Sequence, residues 1–110
     1  MYTNNTISRS LARLSQAIEN LDIISHERSI PILMFLKTHA KADFFQLQQE
    51  TNLPPLHLQQ QIKALMEVGV LKVTSMEEEK YYELDHYKML RIQLLTKRLI
   101  EQPVEIHNRI

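Results

Sequence analysis

The sequence predicts a mainly α fold (α+β), with a helix-turn-helix followed by a two-stranded β-hairpin. Three observations carry that expectation. Leu, Gln, Glu, Lys, Ile and Met dominate a chain of 110 residues with one Gly and four Pro, and these are mostly good helix formers. A three-residue break, Asn52-Leu53-Pro54, joins two stretches of helical periodicity. After Gly69 the apolar period changes to the rough alternation of a strand. The length fits a single domain over 1–110, with one core.

The first helix covers about residues 1–24. Ile7, Leu11, Leu14, Ile18 and Leu21 repeat at spacings of four and three, a heptad-like stripe, while Arg9, Arg13, Gln16 and Glu19 face elsewhere. Such a stripe fits docking on its own domain or on a partner subunit. The second helix begins at Ser25 or Ser29 and ends at Thr38. Pro31 belongs in its first turn, or at a kink after a lead-in turn, because deeper placement would remove a hydrogen bond. Ile32, Leu33, Phe35 and Leu36 supply its core face, and His39 to Ala42 read as a polar connector.

Asp43 with Gln46 three residues later spells a capping box. The helix it opens, Phe44 to Thr51, buries Phe44 or Phe45, and Leu47. Pro55 suits the first position of the next helix, where its missing N–H costs nothing. That helix runs to about Val68 with Leu58, Ile62, Leu65 and Met66 as its buried stripe, and Gly69 is its left-handed stop. Val70 to Thr74 and Tyr81 to Leu84 form a hairpin with a long acidic tip, Ser75 to Lys80. Of Tyr81 and Tyr82, alternation buries one. Asp85 caps a last helix that starts there or at His86 and is stopped near Gln102 by Pro103. Its Tyr87, Leu90, Ile92, Leu94, Leu95, Leu99 and Ile100 cover more than one face. Residues 103–110 read as a loose tail.

Composition removes several function classes. Thirteen Lys/Arg balance thirteen Asp/Glu, which argues against a histone-like polycation or a membrane-coating protein. A single Gly rules out Rossmann and P-loop phosphate sites. Without Cys there is no disulfide, thiolate catalysis or Cys-ligated metal. His26, His39, His57, His86 and His107 never stand two or four apart, as a helical metal pair requires, so neither metal nor cofactor is expected. No Ser/His/Asp set lies near a glycine elbow, so no enzyme is expected. Met1 to Asn5 lacks the apolar segment of a signal peptide, and the longest apolar run, Ile32 to Leu36, is far shorter than the roughly 20 residues of a membrane span. A soluble, cytoplasmic protein is expected.

Residues 43–69 thus form a helix-turn-helix and residues 70–85 a wing. The free face of the second helix projects Leu56, His57, Gln59, Gln60 and Lys63, and a helix so presented fits the major groove of DNA. The stretch from Leu53 to Leu71 resembles the recognition-helix signature of ArsR-like winged-helix repressors. In that signature a Leu and a polar run precede Leu-Lys-x-Leu and x-Ala-Gly-Leu-Val. The stretch from Ser25 to Leu36 is similar to the family's preceding helix, and Tyr81 to Leu84 to its closing wing strand.

The resemblance covers about residues 22–86. It implies a winged helix-turn-helix regulator of transcription that binds double-stranded DNA as a homodimer, joined through the first helix and the helix at 86–102. The expected interface residues are Ile7, Leu11, Leu14, Ile18, Leu21, Leu90 and Leu94. The expected DNA-binding residues are His57, Gln59, Gln60 and Lys63, with Lys72 and Lys80 on the wing. Gln pairs bidentately with adenine.

Three features depart from the family. Pro54, Pro55, Leu56 and His57 stand where it often has phosphate-binding Ser and Thr. Met76-Glu77-Glu78-Glu79 replaces a basic wing tip. The cysteines of the metal-sensing branches are absent, and Tyr87 and Arg98 occupy the places of last-helix histidines. Residues 43–85 hold eight carboxylates against Lys63, Lys72 and Lys80, and carboxylates repel phosphate. That acidity sustains a second expectation: a winged helix used as a protein-protein interaction module without DNA binding, its wing and Leu56 meeting the partner. The residues name no effector.

Overall fold

The computed structural model describes residues 3–101, with side chains for residue 9 and residues 11–98. The elements are α1 (Thr3–Ser25), α2 (Ser29–Thr38), β1 (Ala42–Asp43), α3 (Phe44–Thr51), α4 (Pro55–Val68), β2 (Leu71–Met76), β3 (Glu79–Leu84) and α5 (His86–Glu101). The tail at 103–110 lies outside the described residues. Among the described residues no helix is long and apolar enough to cross a membrane.

The core is one cluster. Ile32 and Leu36 of α2, Leu47 of α3, and Leu58, Ile62, Leu65 and Val68 of α4 meet Val70, Leu71, Leu84 and Ile92. On α4 the inward positions advance by three or four residues, so one face faces the core. This corrects one residue of the expected stripe: Met66 is exposed and Val68 is buried in its place. Val68 follows Leu65 by three positions, whereas Met66 is turned about 100° away from Leu65.

The local punctuation folds as its chemistry demands. Gln46 N–H donates to Asp43 Oδ1 at 2.8 Å, and Asp43 N–H donates to Gln46 Oε1 at 2.9 Å, completing the capping box. Asp43→Ala is expected to lower stability by about 0.5–2 kcal/mol in urea titration, and no change there would mean that the box holds nothing. Asn52 takes the left-handed conformation after α3, at φ 60°. Gly69 ends α4 at φ 93°, where Val70 N–H reaches Leu65 O and Gly69 N–H reaches Met66 O. Those two bonds make a Schellman ending. Asp85 Oδ1 accepts from Lys88 N–H at 3.0 Å and caps α5.

The sheet differs from the expected two-stranded wing. It has three antiparallel strands in the order β1-β3-β2. Ala42, expected to end a polar connector, and Asp43, expected as a helix cap, pair with Tyr82 and Tyr81. A two-residue strand carries no periodicity of its own and exists only because β3 offers it an edge. The wing strands also run further than expected, to Met76 and from Glu79, in register through Met76↔Glu79. The expected long acidic tip is a two-residue turn, Glu77 at φ 50° and Glu78 at φ 70°. Positive φ at both central positions matches the right-handed twist of a hairpin. Hence cross-strand pairing extends the ladder through polar residues that show no apolar alternation.

Outside the core the helices leave much apolar surface open. Leu11 is 59% exposed, and Leu14, Ile18 and Leu21 are also exposed. On α5 Ile92 is buried while Tyr87, Leu90, Leu94 and Leu95 are exposed, so the helix is apolar on two faces and the core uses one. α1 carries Ile7, whose side chain lies outside the described ones, as do those of Leu99 and Ile100.

Candidate nucleic-acid interface

The orientation of α4 is set from inside. Leu58, Ile62 and Leu65 face the core, and Gln61 is pulled the same way. Its Nε2 donates to Ser29 Oγ at 2.6 Å, and the fully buried Ser29 hydroxyl donates to Ile23 O at 2.6 Å. This chain of bonds ties α4 to the start of α2 and the end of α1. With Gln61 occupied in the fold, Gln59, Gln60 and Lys63 are left exposed on the other side, along with Leu56. Positions 56, 59, 60 and 63 lie on one helical face. His57 is half-buried, at the edge of that face.

The turn before α4 is held by Leu47, which is buried, and Leu53, which is half-buried. Thr51 Oγ1 donates to Leu47 O at 2.7 Å and accepts from Leu53 N–H at 3.4 Å. Both ends of the turn are therefore anchored, and α3 and α4 keep a fixed angle.

The wing brings one expected lysine to this face and turns the other away. Lys80 lines a cleft of 450 Å³ with Asp43, Phe44, Phe45, Gln59, Glu79 and Tyr82. Lys72 stands opposite Glu83 in the ladder, with its Nζ 3.7 Å from Glu83 Oε1. Since Lys80 pairs with Ser75, alternation puts Lys72 and Lys80 on opposite faces of the wing. Both ends of the Lys72–Glu83 pair are solvent-exposed enough for it to contribute little.

The wing face near its tip is acidic. Tyr81 Oη donates to Glu79 Oε2 at 2.8 Å. That hydrogen bond and the Glu79 charge, with smaller contributions from burial and Asp43, hold the Tyr81 phenol above its ordinary pKa. Of Phe44 and Phe45, Phe44 packs against the core and Phe45 is 66% exposed. Sequence reasoning left that choice open, since both follow the same cap. Among the described residues no three His, Asp or Glu side chains converge.

Two helices locked at a fixed angle by an anchored turn, a three-stranded sheet with a protruding hairpin, and long flanking helices define the architecture. The fold is a winged helix-turn-helix. No protein-family model matches the sequence and no curated protein matches it closely enough to serve as a relative. The likeness is three-dimensional. One similar structure is described as a "possible transcriptional regulator for arsenical resistance", with a TM-score of 0.68 and 13% identity, over 83% of this chain and 94% of that one. Another is the homodimeric winged helix-turn-helix DNA-binding domain from Mycobacterium bovis, described as "a possible ArsR-family transcriptional regulator". Its TM-score is 0.67 at 18% identity, over 90% and 91% of the two chains. A third is the transcriptional repressor PagR of Bacillus anthracis, with a TM-score of 0.61 and 24% identity, over 77% of this chain and 98% of that one. The chain shares its winged-helix fold with these structures.

Proposed function

We propose that the protein is a homodimeric DNA-binding regulator of transcription, acting as a repressor in the cytoplasm. The observation that carries this reading is the exposed Gln59–Gln60–Lys63 face of α4, held outward by the inward pull of Gln61 on Ser29. Glutamines offer paired donors and acceptors to adenine, and Lys63 offers charge to phosphate. His57 and Lys80 flank that face, and Lys72 assists from the other side of the wing. The homodimer reading draws support from the open leucines of α1 and α5 and from the homodimeric Mycobacterium bovis domain. The repressor sense draws on PagR, a repressor of the same fold. A two-fold dimer presents two α4 helices to half-sites about 34–36 Å apart.

The test is an electrophoretic shift on the gene's own upstream region with a salt titration. Gln60→Ala is expected to cost about 1–3 kcal/mol and relax preference at one base position. Lys63→Ala should weaken all sequences alike and reduce the salt slope by about one. Replacing Glu77, Glu78 and Glu79 together with Gln should tighten non-specific binding, by relieving repulsion from phosphate. If both Lys63→Ala and the triple variant leave DNA binding unchanged, α4 and the wing do not face DNA.

A further inference from the structure

Ser29 is the one buried polar side chain among the described residues. A hydroxyl has one proton to give and lone pairs to accept with, and here both capacities are filled from other helices. The proton goes to Ile23 O in the last turn of α1, at 2.6 Å. The oxygen accepts from Gln61 Nε2 in the middle of α4, also at 2.6 Å. The Ser29 N–H is fixed as well, donating to His26 O at 2.9 Å in the turn between α1 and α2. Besides the two hydroxyl bonds, no side-chain hydrogen bond among the described residues joins one helix to another.

These two bonds supply what apolar packing lacks. Leu58, Ile62 and Leu65 bury one face of α4 without fixing its rotation finely, since hydrophobic contacts have no preferred direction. A hydrogen bond weakens steeply when bent, so Gln61 pins the helix about its axis. Gln60 is its neighbour, and Gln59 and Lys63 stand two residues to either side. Any turn of α4 displaces all three by the same angle, and paired contacts from Gln to a base edge depend on that angle. At the other end of the chain of bonds, Ile23 and Ile24 pack against the core. The exposed Leu21, Ile18, Leu14 and Leu11 run back from them along the same continuous helix. A second copy docked on that stripe therefore fixes where Ile23 O lies. Because Ser29 is wholly shielded from solvent, a partner that moves away leaves a buried polar group unpaired, which is costly.

We infer that Ser29 is the joint through which the position of α1 sets the rotation of α4. It is a positioning residue, and its two bonds make dimer contact on α1 and base reading on α4 a single linked equilibrium. The inference rests on the homodimer reading for the α1 end and on the DNA reading for the α4 end. Linkage is reciprocal, so DNA held at α4 also steadies α1.

Two measurements on the full chain test the joint, one with DNA and one without. In the first, fluorescence anisotropy compares the gene's own upstream duplex with a scrambled duplex of equal length and composition. A residue that only supports the fold changes the folded fraction, which raises both dissociation constants alike and leaves their ratio unchanged. Ser29→Ala and Gln61→Met are each expected to lower the specificity ratio at least about fivefold, with dimer mass kept in light scattering. The double variant should lower it no further, because both changes break one chain of bonds. Ile92→Val, a core change on α5, should leave the ratio as it is. The second measurement is amide hydrogen exchange without DNA. Leu14→Glu should lower the protection of Ile62 to Val68 at least about fivefold more than that of β2 and β3. In a Ser29→Ala or Gln61→Met background that excess should vanish. Circular dichroism of each variant checks the fold. Unchanged ratios, losses that add in the double variant, or an excess at α4 that survives both backgrounds overturn the inference. A chain that binds neither duplex, yet shows the exchange excess and its loss without Ser29, supports the joint and overturns the DNA reading.

Discussion

Leu14→Glu and Leu94→Glu are each expected to give a 13.0 kDa monomer in light scattering at micromolar concentration, where the unaltered chain is expected to run as a dimer. Both leucines are exposed in the single chain, Leu94 at 50%, so neither change disturbs the core. Each lies on an apolar stripe that the core does not use. α1 and α5 pack on one another, so their open faces can join in a single interface. A two-fold contact would bring each residue to the partner's surface twice, and a carboxylate buried there without a partner costs several kcal/mol. DNA affinity should fall with the dimer, because one half-site is lost. An unaltered chain at monomer mass, or variants that keep dimer mass, would sink the homodimer.

Leu65→Ala is expected to remove about 2–5 kcal/mol of a total that for single domains is about 5–15 kcal/mol. Leu65 is fully buried, where α4 meets the rest of the core, and a truncation there leaves a cavity as well as losing transfer energy. Met66→Ala, one residue on and exposed, should change stability by no more than about 0.5 kcal/mol. Urea unfolding at one fixed protein concentration measures both, since the apparent stability of a dimer would depend on concentration. The contrast reads the rotation of α4 about its axis. A costly Met66→Ala with a harmless Leu65→Ala would turn the helix by about 100° and take Gln59, Gln60 and Lys63 out of the exposed face.

Much of this molecule is legible residue by residue. The capping box at Asp43, Pro55 at the head of α4, the stop at Gly69 and the Asp85 cap each depend on groups within a few residues of one another. Local chemistry therefore determined where α3, α4 and α5 begin and where α4 ends. The two apolar faces of α5 were equally plain, since periodicity counts faces. What periodicity does not count is partners across space. β1 exists because Tyr81 and Tyr82 accept it as an edge. The wing closes in two residues because the ladder continues to Met76 and Glu79. The choice between Phe44 and Phe45, the separation of Lys72 from Lys80, and the meeting of Gln59 with Lys80 were decided by tertiary structure alone. Sheet register and interhelical angle bring together residues far apart in the chain, such as Asp43 with Tyr81 and Gln59 with Lys80, and no pattern within a single element carries that information.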